Sequence, residues 1–373
     1  MKAYRYRIYP NASQQELLEK HFGCVRHVYN WALDLKNKFY QEHQKNLSRS
    51  ELQRLLVASK KQDKPWLAEV NSQSLLSSLL HLETAFINFF RGRAKFPRFK
   101  KKYASCRSFQ CPQHVTIDFD SSLLNLPKLK GIKIKLHRQF TGKLKTVTIK
   151  RTACGEYYAS IVVDDPSTFP IPSLIEADKI LGLDVGINYF YTDSEGNKVA
   201  NPNFLKKSLR RLAVAQRLLS RKQVSSKNRA KSRLLLANIY NRISNLRSNF
   251  IHQESAKLSV KNHATSFAVE SLNIKGMIKN RCLSRAIADC GWGMFLNALT
   301  YKCREYGKNI LKIDRFAPSS KTCSQCGTKQ QSLPLAVRRW ECECGAIHDR
   351  DHNAAKMIVQ FALAEPPGYC AVV

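Results

Sequence analysis

Apolar and polar positions alternate one for one at the start of the chain, with Tyr4, Tyr6 and Ile8 set against Arg5 and Arg7. A period of two predicts a strand, and Pro10-Asn11 stops it. The spacing then lengthens to that of a helix. Leu18, Phe22, Val25, Tyr29 and Ala32 form one stripe, Ser48 and Glu51 make a capping box that opens a second helix, and Leu75, Leu79, Leu82, Phe86 and Phe89 form a third stripe. These stripes read as core faces. Short alternating runs return at residues 115–119, 132–136, 144–150 and 157–163, with glycine turns between them. At this spacing they predict a small barrel, which the first strand joins, leaving the helices as an insertion. Residues 164–178, rich in proline and acid, read as a linker.

The second half opens with KILGLDVGINYFYTD, an apolar strand ending at Asp184 and turned by Gly186 into another strand. Leu205, Leu209, Leu212 and Leu219 mark one helix, and Leu236, Ile239, Ile243, Leu246 and Phe250 mark a second, which together predict a long helical hairpin over about 204–261. TSFAVESLN is an apolar strand ending at Glu270, followed by a helix through Trp292, Phe295, Leu299 and Tyr301, a strand at 309–313, and a last helix beginning near Asp351. There is no internal repeat.

Composition adds a partner. The 373 residues, 43% hydrophobic and 24% charged, can bury a core in two or three domains, which excludes a disordered tail protein. The net charge of +34 and the pI near 9.9 point to a polyanion, most often nucleic acid. No apolar run reaches the roughly 18 residues of a membrane span. MKAYRYRIYP lacks the apolar core of a secretory signal, and no lipidation motif is present. The charge is concentrated. Arg91, Arg93, Lys95, Arg98, Lys100, Lys101 and Lys102 follow one another without an acid, and Phe96, Phe99 and Tyr103 are interleaved as stacking or core aromatics. Residues 197–253 contain no acid and fourteen Lys and Arg, among them Lys206, Lys207, Arg210, Arg211, Arg217, Arg221 and Lys222. A merely solvated helix normally mixes signs, so this face is read as phosphate-binding. Residues 121–155 are likewise acid-free.

Two constellations carry chemistry. Four of the twelve cysteines cluster late: Cys323-x-x-Cys326-Gly and, sixteen residues on, Cys342-x-Cys344-Gly. Four thiolates suit a tetrahedral structural zinc, and so small a knuckle pair needs the metal to fold. The C-x-C half is tighter than the usual C-x-x-C, so His348 is kept as an alternative ligand; redox or simply buried cysteines are the competing readings. The other eight, Cys106 and Cys111 included, read as small core residues. The second constellation is Asp184, Glu270 and Asp351, two at strand ends and one at a helix start. Gathered at ~5 Å with an effective dielectric of about 20, each pair would cost roughly 3 kcal/mol. Divalent cations remove that cost, and two of them support phosphodiester hydrolysis. Spacing alone leaves the three as ordinary acids at element ends.

The local wording around each acid adds more. GLDVG, VESLN and HDRDHNAAK, in that order and with a cysteine ribbon before the last, resemble the RuvC-like nuclease domain of the TnpB (OrfB) family of bacterial insertion sequences, and the compact type V CRISPR effectors look similar. AYRYRIYP, FGCVRHVYNWAL, FPRFKKK, ESLNIKGMIKN and APSSKTCSQCG extend the resemblance over nearly the whole chain. The resemblance implies an α+β multidomain fold. A β-barrel wedge (1–10 plus 103–165) carries a helical nucleic-acid-recognition insertion (11–102), and a linker (166–178) leads to an RNase H-like RuvC domain (179–318 plus 345–373) with a zinc ribbon (319–344). It implies that Asp184, Glu270 and Asp351, rather than Asp349, are catalytic and bind two Mg2+ or Mn2+ ions, and that Cys323, Cys326, Cys342 and Cys344 bind zinc. It further implies an RNA-guided DNA endonuclease that takes a guide RNA from the transposon end, reads a short motif flanking its double-stranded target, and works in the nucleoid-associated cytoplasm of a bacterium or archaeon. An A-form heteroduplex would be held through its backbone by the basic segments. The alternatives are a nuclease-inactive RNA-guided regulator or accessory transposition protein, a transposase acting directly, and a Holliday-junction resolvase. All three acids are present, and no His-x-His occurs.

Overall fold

The computed structural model describes residues 1–102, 107–166, 169–334 and 336–364; Tyr103, Cys106 and Cys370 lie outside these. The chain forms two compact units, Met1–Ser167 and Thr168–Val373. No described helix is long and apolar enough to cross a membrane.

In the first unit, strand β1 (Lys2–Tyr9) precedes helices α1 (Ala12–His43), α2 (Arg49–Gln62) and α3 (Ser72–Phe90). Six strands follow: β2 (Arg107–Cys111), β3 (Thr116–Asp118), β4 (Leu123–Leu126), β5 (Leu129–Lys135), β6 (Lys143–Arg151) and β7 (Tyr157–Asp164). They form one antiparallel sheet in the order β2-β6-β7-β1-β5-β4-β3, with β2 and β3 as its edges. β1 therefore sits at the centre, and the helices are inserted between it and β2. Register shifts in the β4–β5 and β6–β7 ladders add twist and curl the sheet. Alternation in β1 buries Tyr6 and Ile8, leaves Arg5 exposed, and leaves Arg7 half-buried and paired with Glu156. The buried side chains join Leu18, Phe22, Val25, Leu75 and Leu79 of α1 and α3 in one core. Capping boxes open α1 (Asn11, Gln14) and α2 (Ser48, Glu51). β2 and β4 are absent from the pattern reading because each has too few alternating positions to show a period.

A polar knot lies within this core. His21 is 1% exposed, and its Nδ1 stands 2.8 Å from the Leu17 carbonyl. Its Nε2 lies 3.1 Å from the Asn71 amide, which donates to it. Asn71 in turn caps α3 through Gln73 N, and its side-chain amide reaches Ser74. Both ring nitrogens are satisfied only while the imidazole is neutral, and burial pushes its pKa below the usual histidine value.

The second unit is built on strands β8 (Ile180–Asp184), β9 (Tyr189–Asp193), β10 (Lys198–Ala200), β11 (Ser266–Glu270) and β12 (Asn309–Ile313). Their order is β10-β9-β8-β11-β12; β8, β11 and β12 run parallel, whereas β9 and β10 are antiparallel to their neighbours. Between β10 and β11 lie α4 (Phe204–Ser220) and α5 (Lys227–Ala256), the hairpin expected from the leucine stripes. Leu212 and Ala215 meet Ile239 and Ile243 between its two helices. Asp289, almost fully buried, accepts from Leu205 N and Lys206 N at the start of α4 and pairs with Arg247 of α5 at 2.8 Å. This fastens both helices to the rest of the unit. α6 (Ile274–Met277), α7 (Ser284–Cys290) and α8 (Trp292–Glu305) lead to β12, and the hairpin β13 (Arg339–Glu341) and β14 (Ile347–Asp349) leads to α9 (Arg350–Ala364).

The parallel strands alternate between two faces. Leu181, Leu183, Phe267 and Val269 meet α5 and α8 through Ile251, Trp292 and Phe295. Ile180, Ala268, Leu311 and Ile313 meet Ile358 and Val359 of α9 on the other face. Gly182 lies on the α9 face. A Cβ there would fall 2.1 Å from the Ala355 carbonyl oxygen, so only glycine lets α9 lie this close to β8.

Candidate carboxylate site and metal centre

Period-two alternation places Asp184 and Glu270 on the same face as Gly182 and Ala268, the face covered by α9. The parallel register pairs Leu183 with Val269, so the two acids end adjacent strands side by side. Asp351 stands in the first turn of α9, over the same strand ends. The structure thus brings the three sequence-predicted carboxylates into one neighbourhood. Asp184 registers it: desolvation first, then the charges of Glu270 and Asp351, push its carboxyl well above the usual range, while Arg350 and Arg338 oppose them. Glu270 accepts from the buried Ser319 hydroxyl at 2.5 Å. Asp351 accepts from Arg338 at 3.2 Å. Asp349 is used differently. It accepts from His352 N at the start of α9 and pairs with Lys198 at 2.7 Å.

The ligand atoms of Cys323, Cys326, Cys342 and Cys344 all lie within 4.8 Å of one another, and among the described residues they are the one group of three or more Cys, His, Asp or Glu gathered closely enough to hold a metal ion. The three carboxylates are looser. Like charges do not close on one another without a cation, and two of them have taken other partners. The cysteine sulfurs approach at 3.6 Å (Cys326–Cys342) and 3.8 Å (Cys323–Cys344). Four sulfurs held tetrahedrally at about 2.3 Å from zinc stand about 3.8 Å apart. The spacing fits, and the cluster can hold a metal such as zinc. His348 Nε2 lies 3.0 Å from Cys323 Sγ, and its ring packs on Trp340. It is therefore a neighbour of the thiols as well as a potential alternative ligand.

The cysteine cluster is tied to the start of α9 by Asn353. Its side-chain oxygen accepts from Ser324 N at 2.9 Å, and its amide donates to Thr322 O at 2.7 Å, so the first cysteine knuckle is clipped to α9 two residues past Asp351. Arg350, 6% exposed, donates to Pro334 O at 2.6 Å and to Val337 O. Ribbon and helix start hold each other.

This arrangement has relatives. A "Cas12f1-like, TNB domain" model matches residues 292–358, which span the cysteine cluster and Asp351. An OrfB model described as "Probable transposase" matches residues 160–281, which span Asp184 and Glu270, and an OrfB "Helix-turn-helix domain" model matches residues 1–45. A "Putative RNA-guided DNA endonuclease" of Streptomyces pristinaespiralis is 37% identical over 97% of this chain and 90% of its own length. The chain belongs to the TnpB (OrfB) family. A second member, "Putative RNA-guided DNA endonuclease InsQ" of Escherichia coli (strain K12), is 31% identical over 96% of this chain and 92% of its own. The protein of a "Cas12f1-sgRNA-target DNA complex" shares the fold at a TM-score of 0.56, with 14% identity over 94% of this chain and 83% of its own.

The basic residues of this TnpB-family chain divide. Arg91, Arg93, Lys95, Arg98 and Lys101 lie on an exposed segment, but Lys100 places its ammonium 4.0 Å over the Tyr29 ring and its backbone against Asn30, and desolvation lowers its pKa. Phe96 packs edge-on against Phe86 and Phe89, which makes it part of an aromatic cluster. Lys206, Lys207, Arg210, Arg211 and Arg217 lie along α4, and Arg221 and Lys222 lie in the turn that follows it, which Arg229 staples through Leu219 O and Lys222 O. Sequence reasoning missed Ser319, Arg338, Arg350 and Asn353. Ser319 lies within APSSKTCSQCG, and Arg350 and Asn353 lie within HDRDHNAAK, whereas Arg338 had no local signal.

Proposed function

We propose that this chain is an RNA-guided DNA endonuclease of a transposable element, with Asp184, Glu270 and Asp351 as its catalytic residues. The observation that carries the reading is the convergence of the three carboxylates at the ends of β8 and β11 and the start of α9, felt at Asp184 as a raised pKa. An excess of half-buried carboxylates in this form favours divalent cations. Two Mg2+ or Mn2+ ions bound there would supply an activated water and neutralise the leaving oxygen. The chain's own residues have defined parts. Ser319 orients Glu270, and Arg338, now on Asp351, is a cation within reach of a phosphate once the carboxylate is neutralised. Three parallel strands, extended on one side by β9 and β10, each antiparallel to its neighbour, support an RNase H-like, RuvC-type assignment for 179–318 plus 345–373, with 319–344 as the zinc ribbon and 204–261 as its helical hairpin. The curled sheet supports a wedge at 1–10 plus 103–165, with 11–102 as the recognition insertion and 166–178 as linker.

The relatives' names support RNA guidance. The partners proposed are a guide RNA from the transposon end and a double-stranded target bearing a short flanking motif, in the cytoplasm, near the nucleoid. The basic stretches would hold the heteroduplex by its backbone. The test is co-expression with the neighbouring transposon end, sequencing of the co-purified RNA, and cleavage of a plasmid library with randomised flanks. Asp184→Asn, Glu270→Gln and Asp351→Asn are each expected to retain the RNA and lose metal-dependent cleavage. An Asp351→Asn protein that cuts at the parental rate would refute the site.

A further inference from the structure

The hairpin α4–α5 carries a groove whose apolar lining none of the chemistry above uses. Its volume is about 500 Å³, within the range of about 300–1,000 Å³ typical of small-ligand sites. Most of its lining is apolar, from Phe204, Leu235, Ile239, Ile243 and Leu246, and Asn238 adds an amide. Three cations, Lys207, Arg211 and Arg242, stand around it. None of the three has a carboxylate partner among the described residues, and no acid occurs from 197 to 253 that could supply one. The Asn238 side chain is exposed and likewise unpartnered among them.

Apolar lining, amide and cations make distinct demands on an occupant. A lone anion would not need the apolar lining, and an apolar peptide would not need three unpaired cations. One nucleotide of a single strand meets all three: its base covers the apolar lining, its edge meets the amide, and its two flanking phosphates meet the cations. We propose that this groove receives an unstacked base of a single-stranded segment of bound RNA or DNA, with Lys207, Arg211 and Arg242 on the adjoining phosphates. The proposal rests on the nucleic-acid reading above but not on cleavage.

The test is equilibrium binding of the purified full chain, without divalent metal, to a 20-mer single-stranded RNA, the DNA of the same sequence, and the DNA duplex, each over a series of salt concentrations. Asn238→Trp fills the groove without touching the core. It is expected to weaken single-strand binding about tenfold, the size of one lost base contact, and to leave duplex binding and the salt slope unchanged. Arg211→Ala with Arg242→Ala is expected to flatten the log–log salt slope for single strands by about 1.4, or 0.7 per phosphate contact. Leu235→Trp, from the same lining, checks that the effect belongs to the groove, and parental melting curves show that the variants are folded. Loss on RNA alone, or on RNA and DNA alike, supports the proposal and tells whether the 2′-hydroxyl is read. Parental single-strand affinity in both tryptophan variants overturns it, and so does a dimer in sedimentation that Asn238→Trp dissolves, since the occupant is then a second copy. Asp184→Asn should bind as the parent does, so failure of the nuclease reading and failure of the groove are separate results.

Discussion

Gly182 stands two residues before Asp184 on β8, and its α9 neighbour Ala355 stands four residues after Asp351. The missing methyl group at Gly182 therefore sets the distance between two of the three carboxylates. In Gly182→Ala the new Cβ would lie 2.1 Å from Ala355 O and 2.8 Å from Val359 Cγ2, whereas Cβ contacts under 3.0 Å essentially do not occur. β8 and α9 must separate by about 0.9 Å to relieve the first contact alone. The atom it meets is helix backbone, which cannot rotate away, so the whole helix start moves. Overpacking of this kind costs about 1–3 kcal/mol, which for a unit of this size lowers the melting temperature by roughly 2–12 °C. A displacement near 1 Å at a catalytic group costs about 100-fold in rate. Melting by calorimetry and single-turnover cleavage of a guide-matched plasmid read both effects, and nucleic-acid binding should be unchanged. Gly23→Ala is the control. No atom lies within 4 Å of the Cβ it would add in α1, so the same substitution there stabilises by about 0.5–1 kcal/mol through helix propensity. A Gly182→Ala protein that melts and cuts like its parent would falsify the claim that this close approach positions the carboxylates.

Three further outcomes are expected. One zinc per chain should be found by metal analysis, and Cys323→Ser should lose it and melt lower; a metal-free parent as stable as the loaded one would count against a structural metal. Nucleic-acid affinity should fall steeply with salt, with a log–log slope of several units, and a flat response between low and physiological salt would remove the role given to the acid-free stretches. His21 is buried neutral with its pKa lowered, so the unfolded chain binds the proton more readily. Its contribution is complete above the unfolded value near 6.5 and is lost as pH falls below it toward the folded value. The melting temperature should drop between pH 7.5 and 5.5, and His21→Gln should flatten part of that drop. Equal pH dependence in parent and variant would show that the knot at Asn71 does not titrate.

Much of the architecture is local and was therefore readable along the chain. The periods at Tyr4–Ile8, Leu18–Ala32 and Leu236–Phe250 come from which side chains must leave water, and β1, α1 and α5 follow them. The cysteine centre was readable for a related reason: each knuckle takes its two ligands from within four residues, and metal chemistry restricts which residue types serve. The acids were different. Asp184, Glu270 and Asp351 are ordinary carboxylates at the ends of ordinary elements, and they stood out only through the wording around them. What gathers them is the parallel register of β8 on β11 and the glycine that lets α9 descend, both agreements between residues more than eighty positions apart. Ser319 on Glu270, 49 positions apart, and Asp289 at the head of α4, 84 positions from Leu205, are likewise brought together by packing. Hydrophobic period says which face of an element is buried, but not which other element buries it, and a hydrogen bond between distant residues leaves no periodic trace. Packing chose those partners, and with them where the charge collects.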